Sequence, residues 1–245
     1  MFAKKSFLGY STLLILILCN AFACDDDGYS LGDFRISIAT VVPEGEQSYS
    51  LVLDNGDKLL PVATDVYYKP QANQRVFVNY TLLSDRKEGY KHDIKINDIW
   101  DILTKPIINL TEQSEDSIGN DPIQVNEFWI GDNYLNASFS FNYGHVKPHA
   151  INMVRNTMEN EENQSVLELE FRHNSYNSPY NTLFDGFACF NLKPFIQDDR
   201  DSIPIVIKYK NWRGDQTYEL MYKFNKLNKS SRLMTIPNIS SNEYN

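Results

Sequence analysis

The sequence predicts an all-β chain of antiparallel sandwiches or barrels. Three observations carry that reading. Apolar and polar side chains alternate at period two in run after run, an Asn-Gly pair separates two such runs, and strand-favouring aromatics are abundant, with 15 Tyr and 14 Phe. In the first half, Phe34, Ile36 and Ile38 alternate with Arg35 and Ser37. Tyr49, Leu51 and Leu53 lead into Asp54-Asn55-Gly56-Asp57, then Lys58 to Val62. Asn-Gly marks a hairpin because both residues accept positive φ. Val76, Val78, Tyr80 and Leu82 make a further face, and Ile94, Ile96, Ile99 and Trp100 close this half. Asp98 to Leu103 also fits a short turn of helix.

The second half is more regular. Leu135, Ala137, Phe139, Phe141 and Tyr143 share one parity, and Asn136, Ser138, Ser140 and Asn142 the other. Leu167, Leu169 and Phe171 alternate with Glu168, Glu170 and Arg172; Ile203, Ile205, Ile207 and Tyr209 repeat the pattern, as do Tyr218, Leu220, Tyr222 and Phe224. Each run reads as a half-buried strand with one wet face. Between the halves, Asn109 to Pro122 is polar, acidic and closed by Gly119 and Pro122, which marks a domain boundary. Asn228 to Asn245 is rich in Asn and Ser and is expected to fray beyond Pro237.

The first 27 residues read as an address. Lys4 and Lys5 precede the short apolar run Phe7 to Leu18, which is diluted by Gly9, Ser11 and Thr12 and is shorter than the roughly 20 residues a spanning helix needs. Ala21 and Ala23 then precede Cys24 and Asp25-Asp26-Asp27. This order resembles a bacterial lipoprotein signal, cut just before a cysteine that carries diacylglycerol. Cys24 is the expected lipidation site, because Ala23 before it is small whereas Leu18 before Cys19 is not. Cleavage after Ala-x-Ala to a soluble secreted form, or retention as an uncleaved anchor, are the alternatives. The three aspartates resemble the acidic export signal of Bacteroidetes surface lipoproteins, and equally fit a solvated tether.

With 23 Lys+Arg against 32 Asp+Glu the chain carries −9, and loss of residues 1–23 takes two lysines and no carboxylate, leaving −11. That balance disfavours nucleic acid, whose affinity comes from clustered basic groups. Cys189, alone between Ala188 and Phe190, reads as a small buried hydrophobe rather than a reactive thiol.

At this point the chain resembles the NigD-like family of Bacteroidetes lipoproteins. In the first half the resemblance rests on Gly32-Asp33-Phe34, the Tyr49 to Leu53 strand with its Asn-Gly-Asp turn, and Arg75-Val76-Phe77-Val78-Asn79-Tyr80. In the second it rests on Ile118 to Ile123, Trp129 to Asn136, His149 to Val154 and Leu169 to Asn174. The resemblance implies an N-terminal OB-like barrel followed by an antiparallel β-sandwich. It implies no activity and brings no catalytic residues; its link to bacteriocin production or immunity is one of gene context. The expected organisation is a signal peptide at 1–23, an acidic tether at 24–32, an OB-like barrel at 33–112, a linker at 113–122, a β-sandwich at 123–236 and a disordered tail at 237–245.

Few constellations carry chemistry. His145 and His149 have a three-residue spacer, but Pro148 opposes a helix that would present both rings together, and no metal site is expected. Asp198, Asp199 and Asp201 gather carboxylates around Arg200, which opposes calcium. Arg172 and His173 end a strand and enter a loop with Tyr176 and Tyr180, a polar and aromatic cluster suited to gripping a sugar or peptide, or to packing a corner. Asp116-Ser117-Ile118 and Asp201-Ser202-Ile203 resemble the Asp-Ser/Thr-apolar acceptor of Bacteroidetes O-glycosylation, so Ser117 and Ser202 are candidate glycan carriers. No Ser-His-Asp order, nucleotide-binding glycine loop or paired-carboxylate motif stands out, and no catalytic residue or cofactor is expected. The sequence therefore points to a non-enzymatic lipoprotein of the cell envelope, held at the outer membrane with the periplasmic and surface faces as alternatives, that binds an unknown envelope protein, a bacteriocin or a glycan. Bacteriocin immunity by sequestration and weak glycan binding are the alternatives.

Overall fold

Five strands of the first half close on themselves. In the computed structural model, which describes residues 30–86, 88–158, 165–179, 182–224 and 243–245, these are β1 (Phe34–Pro43), β2 (Tyr49–Leu53), β3 (Lys58–Thr64), β4 (Arg75–Asp85) and β5 (His92–Asp101). They run in the order β1-β2-β3-β5-β4, with β4 pairing back onto β1. All pairs are antiparallel except β3 with β5. Ala39, Val41, Leu51, Leu59, Val76, Val78, Tyr80, Leu82, Ile94 and Ile96 fill the interior. Among the described residues, closure leaves no free sheet edge in this unit.

The parity expected for β1 is that of its outer face. Phe34 is exposed, whereas Ala39 and Val41 point into the barrel. The Asn55-Gly56 turn also differs from the expected two-residue form: only Gly56 takes positive φ (85°), and Asn55 acts through its side chain, accepting from the Asp57 amide at 2.9 Å. Residues 98–101 complete β5 and Leu103 begins the next strand after a break at Ile102, so the stretch is not helix.

The second unit stacks two sheets. One has the order β14-β13-β11-β10-β7 and the other β6-β12-β9-β8. Here β6 is Leu103–Pro106, β7 Ile108–Leu110, β8 Gln124–Gly131, β9 Tyr134–Tyr143, β10 Ala150–Asn156, β11 Leu167–Asn174, β12 Thr182–Asn191, β13 Ser202–Asn211 and β14 Gly214–Lys223. The expected alternation is present, with Leu135, Phe139, Phe141, Leu169, Phe171, Ile205 and Tyr222 inside. Alternation does not report strand direction, and three pairs (β10 with β7, β11 with β13, β12 with β6) are parallel.

Two expectations at the boundary change. Residues 103–110, placed with the barrel by sequence, run as edge strands of the sandwich. Strands of four and three residues carry too little alternation to reveal a partner. The stretch read as a linker at 113–122 holds all but the first residue of the helix α1 (Glu112–Ile118). Thr111 caps it reciprocally with Ser114, and Ile118 anchors it on Leu110 and Val154. The expected fraying does not extend to Glu243–Asn245: Tyr244 is buried in the sandwich core. The rest of the tail, 237–242, lies outside the described residues, as do the signal peptide and the tether as far as residue 29.

The outer face of the barrel packs on the four-stranded sheet. Ile38 and Phe77, paired across β1 and β4, meet Trp129, Tyr134, Phe187 and Cys189. Phe77 and Phe187 make an edge-to-face contact at 5.0 Å.

Candidate functional site

Among the described residues, the seam between barrel and sandwich holds a concentrated set of buried polar groups, Thr40 and Arg75 among them. Arg75 opens β4 with its side chain fully buried. One guanidinium nitrogen donates to the Asp54 carboxylate, from the β2–β3 turn. Another donates to Thr40 Oγ1 at 3.0 Å, and Thr40 in turn donates to Asp132 Oδ2 at 2.5 Å. The Tyr134 ring lies 5.0 Å from the guanidinium carbon, and the Tyr134 hydroxyl donates to the Asn73 carbonyl at 3.0 Å. Burial works against a charged Arg75, but the Asp54 carboxylate outweighs it and the guanidinium holds its proton more tightly than a free one. Burial raises Asp132 above the ordinary carboxylate range, against the hydrogen bond from Thr40 and the charge of Arg75.

Local structure explains how Asp132 arrives there. Asp132 and Asn133 form the β8–β9 turn, both at positive φ (43° and 62°), as a two-residue hairpin requires. The barrel takes Asp132 through Thr40; the sandwich takes Asn133, whose carbonyl accepts from the Leu192 amide (2.9 Å) and whose Oδ1 accepts from the Tyr222 hydroxyl (2.8 Å). The preceding residue is Gly131, where a Cβ would lie 2.1 Å from Asp54 Oδ2. The ionised groups of the seam are turned on one another, so the arrangement clamps two units together. Sequence reasoning did not single out Arg75, Asp54 or Asp132. The available signal was an arginine opening an otherwise apolar run, Arg75-Val76-Phe77-Val78.

The predicted cluster on β11 is divided by the sheet. His173 shares parity with Phe171 and faces the core, whereas Arg172 faces outward and pairs with Glu170. Glu170 also accepts from Asn156 Nδ2 at 3.0 Å. Tyr176, at φ 51°, lies beyond the strand with the Lys147 ammonium 3.4 Å from its ring centroid. Tyr180 lies outside the described residues, as does Cys24. Ser117 is exposed on α1, not in a loop, and donates to the Ser114 carbonyl at 2.9 Å. Ser202 is half-buried at the start of β13, opposite Lys223.

His173 has a partner that the sequence did not reveal. Its Nδ1 lies 3.1 Å from the Pro122 carbonyl, and its Nε2 lies 2.9 Å from Nδ1 of the buried His149. A carbonyl only accepts, so His173 Nδ1 carries hydrogen and Nε2 accepts from His149 Nδ1–H. Both rings are then neutral, and His149 Nε2 is a buried lone pair without a partner. Burial and the neighbouring imidazole bring the His149 pKa down to about 4, and burial also lowers His173. His145 is separate, its ring packed on Tyr143 at 4.9 Å. Among the described residues no group of three or more His, Cys, Asp or Glu is placed to hold a metal ion. Cys189 lies in the seam, its thiol 3.0 Å from Asn136 Oδ1 and its pKa pushed up to about 12 by burial.

A closed five-stranded barrel clamped to a two-sheet sandwich defines the class: a two-domain all-β protein with an OB-type and a sandwich unit. The sequence profile of the NigD-like N-terminal OB domain matches residues 38–102, and that of the NigD-like C-terminal beta sandwich domain matches 106–222. The chain belongs to the NigD-like family. Among solved structures it is similar to a Parabacteroides distasonis protein with a provisional toxin-related name, at 40% identity and TM-score 0.71, covering 79% of this chain and 95% of that one. A protein of unknown function from Bacteroides vulgatus shares 28% identity at TM-score 0.70, over 82% of this chain and 96% of that one. A NigD-like immunity protein from Bacteroides caccae has the same fold at 21% identity and TM-score 0.62, over 80% and 99%. No curated protein matches the sequence.

Proposed function

We propose that this chain is a non-enzymatic lipoprotein of the cell envelope, anchored through Cys24, whose rigid two-unit body binds a protein partner in the envelope or outside it. The observation that carries the reading is the seam: its buried ion pair and hydrogen bonds hold one unit against the other rather than facing a substrate. The lipid signal at Cys24 supports attachment to a membrane, and Asp25-Asp26-Asp27 supports presentation on the outer face. The net negative charge argues for a protein partner over nucleic acid. Metabolic labelling with a fatty acid is expected to mark the wild-type chain and not Cys24→Ala. Protease shaving of intact cells is expected to degrade it if it faces outward. Turnover on a broad hydrolase panel that is lost on substitution within one cluster would refute the non-enzymatic reading.

Bacteriocin immunity is the second reading, favoured by the immunity name of the Bacteroides caccae relative. Deletion of the gene is then expected to raise bacteriocin sensitivity, and unchanged sensitivity removes the reading. Glycan binding at Tyr176 draws less support, because the Lys147 ammonium already covers that ring. O-glycosylation remains a proposal for Ser117, whose exposure suits an acceptor better than the half-buried Ser202. Intact mass of the native protein tests it, and a lipid increment alone overturns it.

A further inference from the structure

One edge of β10 is covered in two halves by two different segments. β7 runs parallel to Val154–Asn156. Ahead of it, Glu243–Asn245 lies parallel to the strand as well, bridging at His149 and Tyr244. The His149 amide donates to the Glu243 carbonyl (2.8 Å), the Asn245 amide to the His149 carbonyl (2.8 Å), and the Ile151 amide to the Asn245 carbonyl (2.7 Å). Between the two segments the Lys105 ammonium donates to the Ile151 carbonyl at 3.0 Å and to Asn152 Oδ1 at 2.6 Å.

Tyr244 anchors this segment in the core. Its backbone lies on the edge of β10, while its ring crosses to the other sheet and packs on Phe139 (5.4 Å) and Phe141 (5.9 Å). There the hydroxyl accepts from the Phe187 amide and donates to the Phe187 carbonyl, both at 2.9 Å. One phenol thus satisfies both backbone groups of a β12 residue that lies just before the register with β6 begins. The fit of Glu243 is poorer. Its Oε2 is buried without a partner, as is Nε2 of His149, the residue to which it is bonded by backbone.

We propose that the side of the sandwich between β10 and β12 that Glu243–Asn245 covers is a binding slot for an extended peptide bearing a tyrosine, and that Glu243–Asn245 occupies it in cis as a replaceable strand. Backbone pairing supplies affinity and the tyrosine pocket supplies selectivity, the logic of strand addition to a sheet edge. The two orphaned polar atoms mark where a different side chain in place of Glu243 would fit better. This slot is independent of the lipid anchor and of any immunity role.

The test uses the full chain. A fluorescently labelled peptide Ser-Asn-Glu-Tyr-Asn is titrated into wild type and Tyr244→Ala, followed by anisotropy, with native folding of each protein checked by near-ultraviolet circular dichroism. Saturable binding is expected to Tyr244→Ala, at least tenfold tighter than to wild type, where the cis strand competes. Replacing the peptide tyrosine with phenylalanine is expected to weaken binding about tenfold through loss of the hydroxyl hydrogen bonds. If Tyr244→Ala does not fold, Tyr244→Phe, which keeps the ring and loses only the hydroxyl hydrogen bonds to Phe187, takes its place, and peptide binding several-fold tighter than to wild type is expected. No binding to a folded variant, equal binding to wild type, or indifference to the peptide tyrosine overturns the proposal.

Discussion

Arg75 and Asp54 form a buried ion pair inside the seam, the arginine side chain fully buried and the aspartate side chain 11% exposed. A buried pair of this kind adds little over an apolar pair of equal shape, but removing one partner strands the other. Arg75→Met leaves Asp54 and the Thr40–Asp132 hydrogen bond without their cation. It is expected to cost about 3–5 kcal/mol by urea unfolding. Combining it with Asp54→Leu is expected to cost less than the two single losses added together, because the two groups are in contact. Strict additivity would show that the pair is not energetically coupled.

Gly131 tests the same seam from the backbone side. It lacks positive φ, so alanine there meets no conformational penalty. Its Cβ would instead fall 2.1 Å from Asp54 Oδ2, in a turn anchored on both sides. Gly131→Ala is expected to cost about 1–3 kcal/mol, as overpacking of a close-packed site does. A melting temperature within a degree of wild type would mean that Asp54 moves freely, and the clamp would lose its force.

The fold was largely legible because alternation is a local signal. Leu135 to Tyr143 and Ile203 to Tyr209 have the parity the sequence shows. The failures share a cause. On β1, Phe34, Ile36 and Ile38 looked like a core face because the barrel's outer surface is itself apolar where Ile38 and Phe77 meet the sandwich. A strand packed on both faces does not declare which one is inside. The seam itself was illegible: Arg75, Asp54 and Asp132 are 21 and 57 residues away from one another in steps along the chain, and tertiary contact alone unites them. His149 was weighed only with His145, yet its partner is His173, 24 residues away across a strand pair.

The His149–His173 pair sets an acid dependence. Burial lowers His149 from 6.5 to about 4, so between those values the unfolded chain binds a proton that the folded chain does not. Stability is therefore fully present above about pH 6.5 and falls as the pH drops toward about 4, where the slope levels. His173 is lowered too and acts in the same direction. For Asp121, burial is outweighed by hydrogen bonds from Ser175 and its titration falls below the usual carboxylate value, at the acid end of this window. Glu243 is the other acid against His149, through its backbone. Urea unfolding at pH 7 and pH 5 is expected to differ by on the order of 1–2 kcal/mol. The difference is expected to shrink in His149→Gln. An unchanged difference in that variant would place the titration elsewhere.

Cys189 reports on whether barrel and sandwich separate. A chain beginning at Asp25 holds it as the sole thiol, since Cys19 and Cys24 precede that point. The thiol is fully buried in the seam cluster that includes Phe77 and Phe187, engages Asn136, and has a pKa near 12, so both access and thiolate formation are suppressed. Reaction with a thiol-exchange reagent at neutral pH is expected to be absent on the minutes scale in the native protein and complete in guanidinium. Because the residue lies at the seam and not in either core, Arg75→Met is expected to speed labelling more than a substitution of equal cost inside the barrel, such as Ile94→Ala. Equal rates at equal stability would show that Cys189 is exposed only by global unfolding. Faster labelling in Arg75→Met would show that the seam opens while both units stay folded.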